Sequence, residues 1–264
     1  MPNLALHEIA RTPNHSVRPD LWPAYAWVPA LGCQGSTLWD LASDRHAILT
    51  SGAPAWGTDE IIVNGDNYQA PAVGWDVNGP WSIVAQVRDS SGTDGERPFY
   101  TQLSITGIAC RITVGIYDGK PRFLMRNMSG INIINFFNKG PNINDNLYHT
   151  LCFTIDYNRS KGQTNVDIGY VDGETITISS DVADRGLLTH STAADIGYSW
   201  IGGIRALYIL PGVFLTRQQA LDLGSDILFP FRRRDVTPYW VLDEVPPSFN
   251  FAWATGNNHV IGAA

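Results

Sequence analysis

Tyr148-His149-Thr150-Leu151-Cys152-Phe153-Thr154-Ile155-Asp156-Tyr157, followed after a polar break by Val166-Asp167-Ile168-Gly169-Tyr170-Val171-Asp172-Gly173-Glu174-Thr175-Ile176-Thr177-Ile178, decides the fold. Leu151, Phe153, Ile155 and Tyr157 share one parity, and Thr150, Cys152, Thr154 and Asp156 the other. Period two with one apolar side is the pattern of a half-buried strand. Asn158 to Gly162 breaks it with turn residues. Val166, Ile168 and Tyr170 resume the alternation. Asp172-Gly173 then predicts a two-residue hairpin turn, because a type I′ turn needs positive φ at both central positions. Thr175 to Ile178 is the return strand.

The same logic extends outward. Trp81-Ser82-Ile83-Val84-Ala85-Gln86-Val87-Arg88 alternates, with Trp81, Ile83, Ala85 and Val87 inward. Cys110 to Tyr117 is a strand that Asp118-Gly119 turns back into Arg122 to Arg126, a second hairpin. Ile61-Ile62-Val63 is a short strand ended by the Asn64-Gly65-Asp66 turn. Part of the Asn-rich region 127–147 is a strand through Ile131, Ile133, Ile134, Phe136 and Phe137. Residues 89–97 and 181–199 read as loops. Ile201 to Leu210 is a late strand. Thr216-Arg217-Gln218-Gln219 is a capping box opening a short helix, for which Gly224 is the expected C-cap.

Several of these segments carry a resemblance. Tyr148-His149, Asp156-Tyr157 and Val171-Asp172-Gly173 resemble the core of the laminin-G-like or concanavalin A-like jelly-roll superfamily. Leu31-Gly32, Gly35, Leu38, Asp40, Leu49-Thr50 and Trp56 resemble the opening motif of its members encoded by bacteriophages and prophages. Gly203-Ile204 and Leu207-Tyr208 resemble its closing strand. There are departures: Ala42-Ser43-Asp44 stands where Ser-Gly is usual, Ala47-Ile48 where Gly-Thr is usual, and Arg205-Ala206 where an acidic residue is usual. Residues and resemblance agree on an all-β, antiparallel jelly-roll β-sandwich. We divide the chain into an N-terminal arm (1–20), a jelly-roll domain (21–224) and a C-terminal tail (225–264).

Composition narrows the function. A net charge of −7 argues against binding nucleic acid by phosphate neutralisation. No apolar run is long enough for a membrane span, and residues 1–20 contain no secretion-signal pattern. Cys33, Cys110 and Cys152 lack metal-type spacing, and Cys110 and Cys152 read as buried thiols in strands. A glycosidase of this fold would carry carboxylates on alternate strand positions; Asp59-Glu60 and Asp243-Glu244 are adjacent instead. Gly-x-Ser-x-Gly is absent. The expectation is therefore a protein that is not an enzyme.

Four binding possibilities follow. The resemblance offers Asp40 and Asp44 to Ca2+, since hard cations take carboxylates. Read from the residues alone, Asp40 caps a turn and Asp44 is solvated, and the departures favour that reading. Trp56, Tyr68, Trp75 and Asn142 supply the aromatic and amide groups of a sugar site, or, for the tryptophans, fill the ends of the sandwich. Phe229, Phe231, Arg232, Arg233, Arg234, Trp240, Phe251 and Trp253 make the tail too apolar for a free linker, so it is expected to lie on the sandwich or on another chain. The arginines are either an acidic-partner contact or solvated charges.

The expectation is thus a non-catalytic structural protein of a bacteriophage virion, a capsid decoration or fibre-like surface component made in the host cytoplasm. It would assemble through its arms with its own copies and other virion proteins. The alternative is a lectin-like module that binds a surface glycan.

Overall fold

Every ladder between named strands is antiparallel, as the alternating segments require. The computed structural model describes residues 21, 23–29, 35–43, 45–73, 80–104, 107–137, 140–156, 168–177, 180–181, 192–227, 229–231, 250–253 and 260–263. For 104, 107–110, 156, 177, 180–181, 231, 250–253 and 260–263 it describes the backbone.

The first strands are β1 (Tyr25–Trp27), β2 (Thr37–Leu38), β3 (Ala47–Ser51), β4 (Ala55–Trp56), β5 (Ile61–Asn64) and β6 (Asn67–Ala70). The long central strands are β7 (Pro80–Asp89), β8 (Glu96–Ser104), β9 (Gly107–Tyr117), β10 (Lys120–Arg126), β11 (Asn132–Phe136) and β12 (His149–Asp156). Then come β13 (Ile168–Val171), β14 (Glu174–Thr177), β15 (Ser180–Asp181), β16 (Ala194–Ile196), β17 (Ile201–Pro211), helix α1 (Arg217–Ser225), β18 (Asn250–Trp253) and β19 (Val260–Ala263).

Two sheets form the sandwich. One has eight strands in the order β14-β13-β12-β7-β17-β5-β4, with β1 also paired to β17. The other has nine, in the order β15-β11-β10-β9-β8-β16-β6-β3-β2. The fold is an antiparallel β-sandwich of jelly-roll type. Both hairpins form as the sequence dictates: Asp118 and Gly119 have φ of 47° and 75°, and Asp172 and Gly173 have 51° and 80°.

Inward parity builds the core. Trp81, Ile83, Ala85 and Val87 of β7 and Leu151, Phe153 and Ile155 of β12 meet Phe123, Met125, Ile134 and Phe136 of the opposite sheet. Phe153 sits 5.4 Å from Phe123 and 5.3 Å from Phe136 between ring centroids, within the range of tilted aromatic pairs. The outer face of the eight-stranded sheet is also apolar at one end. Val84, Cys152, Ala206 and Tyr208 pack there under Leu215, Ala220 and Leu223 of the α1 segment. Cys152 is a free, fully buried thiol, and burial raises its pKa.

Three sequence expectations need correction. The capping box forms as read, with Thr216 and Gln219 bonded reciprocally, but the C-cap is Asp226 and Gly224 lies inside the helix. Gly224 serves close approach: a Cβ there would meet the Thr150 side chain at 2.9 Å, and its carbonyl accepts from Gln86 Nε2 at 3.3 Å. Residues 96–97 begin strand β8 rather than end a loop, and β16 lies within the segment read as loop 181–199. The N-terminal arm, Trp75, Asp44, Arg232 to Arg234 and Trp240 lie outside the described residues.

Candidate functional site

The nine-stranded sheet carries one continuous row of outward positions. Thr37, Ile48, Gln69, Asp195, Thr101, Thr113, Leu124, Asn135 and Ser180 are register partners from strand to strand across the whole sheet. Their chain neighbours Leu38, Ala47, Tyr68, Ala70, Ala194, Ile196, Val114, Phe123 and Ile134 are in the core. Period two therefore sends the row to the outer face.

The two ends of that face differ. At the β2–β3 end it is open: Trp39 is 48% exposed, Ile48 49%, and Gln69 is exposed. The Trp39 ring lies 4.3 Å from the His46 ring, tilted by 58°. On the same face Asn67 Nδ2 donates to Asp195 Oδ1 at 3.0 Å. At the β9–β10 end the face is closed: Thr113 is 2% exposed, Leu124 fully buried and Arg122 8% exposed.

Three arginines occupy this closed end. Arg111 and Arg126 are register partners, and Arg122 lies opposite Gly115. Glu96 pairs with Arg122 at 3.1 Å and with Arg111 at 3.7 Å. Arg126 Nε donates to Asn132 Oδ1 at 2.6 Å. The Arg122 guanidinium also sits 5.1 Å from the Tyr117 ring and 5.5 Å from the Phe137 ring, at cation–π range. Burial holds the pKa of Arg111 below the usual arginine range, and the charges of Arg126 and Arg122 push the same way against Glu96. Among the described residues, eight buried side-chain polar atoms have no hydrogen-bond partner. Five of them lie on this face: Asn67 Oδ1, Arg111 Nε, Thr113 Oγ1, Arg122 Nε and Asn135 Oδ1. Each such atom costs about 1–3 kcal/mol until something bonds it.

A second polar cluster lies on the outer face of the eight-stranded sheet. Arg88 pairs with Glu60 at 2.9 Å, and the Tyr148 hydroxyl also donates to Glu60. The Arg205 guanidinium lies 3.6 Å from the centre of the Tyr148 ring and pairs with Asp59 at 2.8 Å. Register slips between Ile204 and Ala206, so Arg205 is the extra residue of a bulge, which re-aims its side chain. A Cβ at Gly203 would overlap the Glu60 carboxylate and the Tyr148 hydroxyl, so the cluster depends on that glycine. Burial, then the bond to Glu60, raises the pKa of Tyr148, the opposite of what a phenolate nucleophile needs.

The residues expected to act are dispersed. Tyr68 is 1% exposed in the core, and its hydroxyl donates to Gly35 O at 3.2 Å. Its buried ring is closed to a sugar, and burial pushes its pKa up to about 12. Trp56 is half-buried against the core on β4, in the other sheet. Asn142 is exposed, next to Ile143, whose N–H bonds the Gly119 carbonyl. Asp40 is 5% exposed, and its carboxylate accepts from Ala26 N, Ala42 N and the Ser43 hydroxyl. Those bonds make it a pin for the chain entry, in keeping with the turn-capping reading of Asp40. Burial raises its pKa while those donors oppose. Among the described residues no group of three or more His, Cys, Asp or Glu is placed to hold a metal ion. Phe229 is half-buried against the cluster beneath α1. Phe231, Phe251 and Trp253 are described by backbone. Trp39, Gln69, Asn67 and the three arginines escaped sequence reading. The signal was the parity of Leu38-Trp39, with Leu38 inward.

No family model matches the chain, and no curated protein matches it. Solved structures match its fold. Domain 4 of an extracellular arabinanase from Geobacillus stearothermophilus, solved with arabinotriose, superposes with a TM-score of 0.57 at 15% identity, over 77% of this chain and 98% of that one. The receptor-binding domain of a botulinum neurotoxin C/D mosaic gives 0.57 at 10% identity, over 79% of this chain and 50% of that one. Trypanosoma rangeli sialidase gives 0.55 at 15% identity, over 77% of this chain and 33% of that one. The chain thus spans about half of the toxin domain and a third of the sialidase. At these identities the likeness is one of fold, shared by catalytic and binding proteins alike.

Proposed function

We propose that the chain is a non-catalytic, lectin-like module whose outer nine-stranded face binds a carbohydrate. The observation that carries this reading is the open end of that face, where Trp39 and Gln69 are exposed and Asn67 pairs with Asp195. An aromatic plane with amides and a carboxylate on the same face supplies the apolar and polar contacts that a glycan needs. The arabinanase domain, solved with arabinotriose on a similar fold, supports it. So does the second polar cluster, whose Glu60 is engaged by Arg88 and Tyr148 rather than facing a substrate. A glycan array with the intact chain tests it. Saturable binding that Trp39→Ala lowers by about tenfold or more, a loss of about 1.4 kcal/mol, is expected. Binding untouched by that substitution, or none to any glycan, contradicts it.

The second reading is the virion component that assembles through its tail. The hairpin β18–β19 favours it, because it forms a two-stranded sheet of its own. An isolated hairpin is marginal in water, so it calls for support from another surface. Light scattering on the full chain tests this reading: a defined oligomer supports it, and a monomer at all concentrations contradicts it.

A further inference from the structure

We infer that His46 is a ligand-binding residue of the open end, whose Nε2–H donates a hydrogen bond to a hydroxyl or ring oxygen of the sugar that covers Trp39. This rests on the carbohydrate reading above and adds a polar contact to it. Leu38 and Ala47 are register partners and both face the core. Trp39 and His46, the next positions along that pair, therefore face outward together. Their rings are in contact, with centroids 4.3 Å apart. Thr37 and the exposed Ile48 are outward partners two residues along, and Ile48 in turn pairs with the exposed Gln69.

The hydrogen bonding fixes which nitrogen can act. His46 Nδ1 lies 3.0 Å from Asp40 N, and a backbone N–H only donates, so Nδ1 is the acceptor. An imidazole that accepts at Nδ1 carries its proton on Nε2. Nε2 has no partner among the described residues, yet it is not one of the sealed polar atoms, and the residue is only half-buried. It is therefore a donor open to solvent. Its direction is set beforehand: the ring is held by the Asp40 N–H and by the Trp39 indole, and Asp40 is itself pinned by the Ala26 N–H at 2.8 Å. A group ordered before binding loses little freedom when the ligand arrives. A sugar lays its C–H face on an indole and carries its oxygens at the rim, where the neighbouring donor stands.

Calorimetry on the full chain tests this with arabinotriose and with the tightest-binding glycan of the array. His46→Asn keeps an acceptor where Nδ1 stands and loses the outer donor. His46→Gln places its amide NH2 where Nε2 stands and loses the acceptor for Asp40. The expected loss of affinity is about fivefold or more in His46→Asn and about twofold or less in His46→Gln. The reverse order assigns His46 to holding Asp40 alone and overturns the proposal; so do equal losses, or none, in the two variants. Nitrogen NMR of the labelled native chain gives a test without substitution: the His46 proton is expected on Nε2, with that resonance shifting as glycan is added. A proton on Nδ1, or an Nε2 resonance that glycan leaves in place, overturns it. A native chain that binds glycan through Trp39 while failing these tests leaves the carbohydrate reading standing. A native chain that binds no glycan overturns both.

Discussion

His149 shows how much one residue can join. Its Nδ1 lies 2.7 Å from Asp172 Oδ2 and its Nε2 3.0 Å from Asp145 Oδ1. The ring thus clasps the β13–β14 turn and the loop before β12. The bond to Asp172 raises the imidazole pKa against the burial that would lower it. Burial would raise Asp172, but its bonds to His149 and the Thr150 N–H hold it below the usual range. Asp145 is lowered by its bond to His149. Stability from the raised imidazole is complete below its unfolded pKa and is lost as pH rises through the folded value. Stability from the lowered carboxylates is present above their unfolded pKa and is lost as pH falls through the folded values. The clasp is thus strongest in weak acid, and the melting temperature of the native protein falls from about pH 6 to about pH 8. In His149→Gln that slope should flatten; an unchanged slope means the clasp contributes nothing. In the core, Phe153→Ala should cost about 3–5 kcal/mol in denaturant unfolding, because Phe153 is fully buried among rings. A cost below about 1 kcal/mol would mean that this aromatic cluster does not hold the sheets together.

At the scale of elements, local pattern and turn chemistry made much of the fold legible. β7, β9, β10, β12, β13 and β17 follow from alternation, and both Asp-Gly turns adopt the positive φ that those dipeptides favour. β8 and β16 were illegible because their parity is obscured. Pro98 and a register slip interrupt β8, and β16 is three residues long. Gly224 was misjudged as a terminator because sequence cannot tell a left-handed cap from a close packing contact. Gly173 combines both needs: it has φ of 80°, and a Cβ there would overlap Leu221 of α1. Gly173→Ala should therefore destabilise the protein by about 1–3 kcal/mol, read as a lower denaturant midpoint. A neutral effect would show that α1 can shift away from the hairpin.

For the whole molecule, the candidate face is a product of register, and register is not local. Trp39, Gln69, Asp195, Thr113 and Asn135 are spread from the start of the chain to its last third, and eight strands must pair before they share a surface. No window of sequence contains that surface, which is why Tyr68 and Trp56 looked equally suitable. The outer face of the eight-stranded sheet is apolar at one end and covered there by α1, while the nine-stranded face carries five of the eight unpartnered polar atoms found among the described residues. Hydrogen–deuterium exchange, with and without a glycan that the array selects, tests the assignment of the binding face most directly. Amides of β2, β3, β6 and β16 should gain protection on binding, with β5, β12 and the Glu60–Tyr148 cluster unchanged. Protection centred on the eight-stranded sheet instead would contradict the assignment of the binding face.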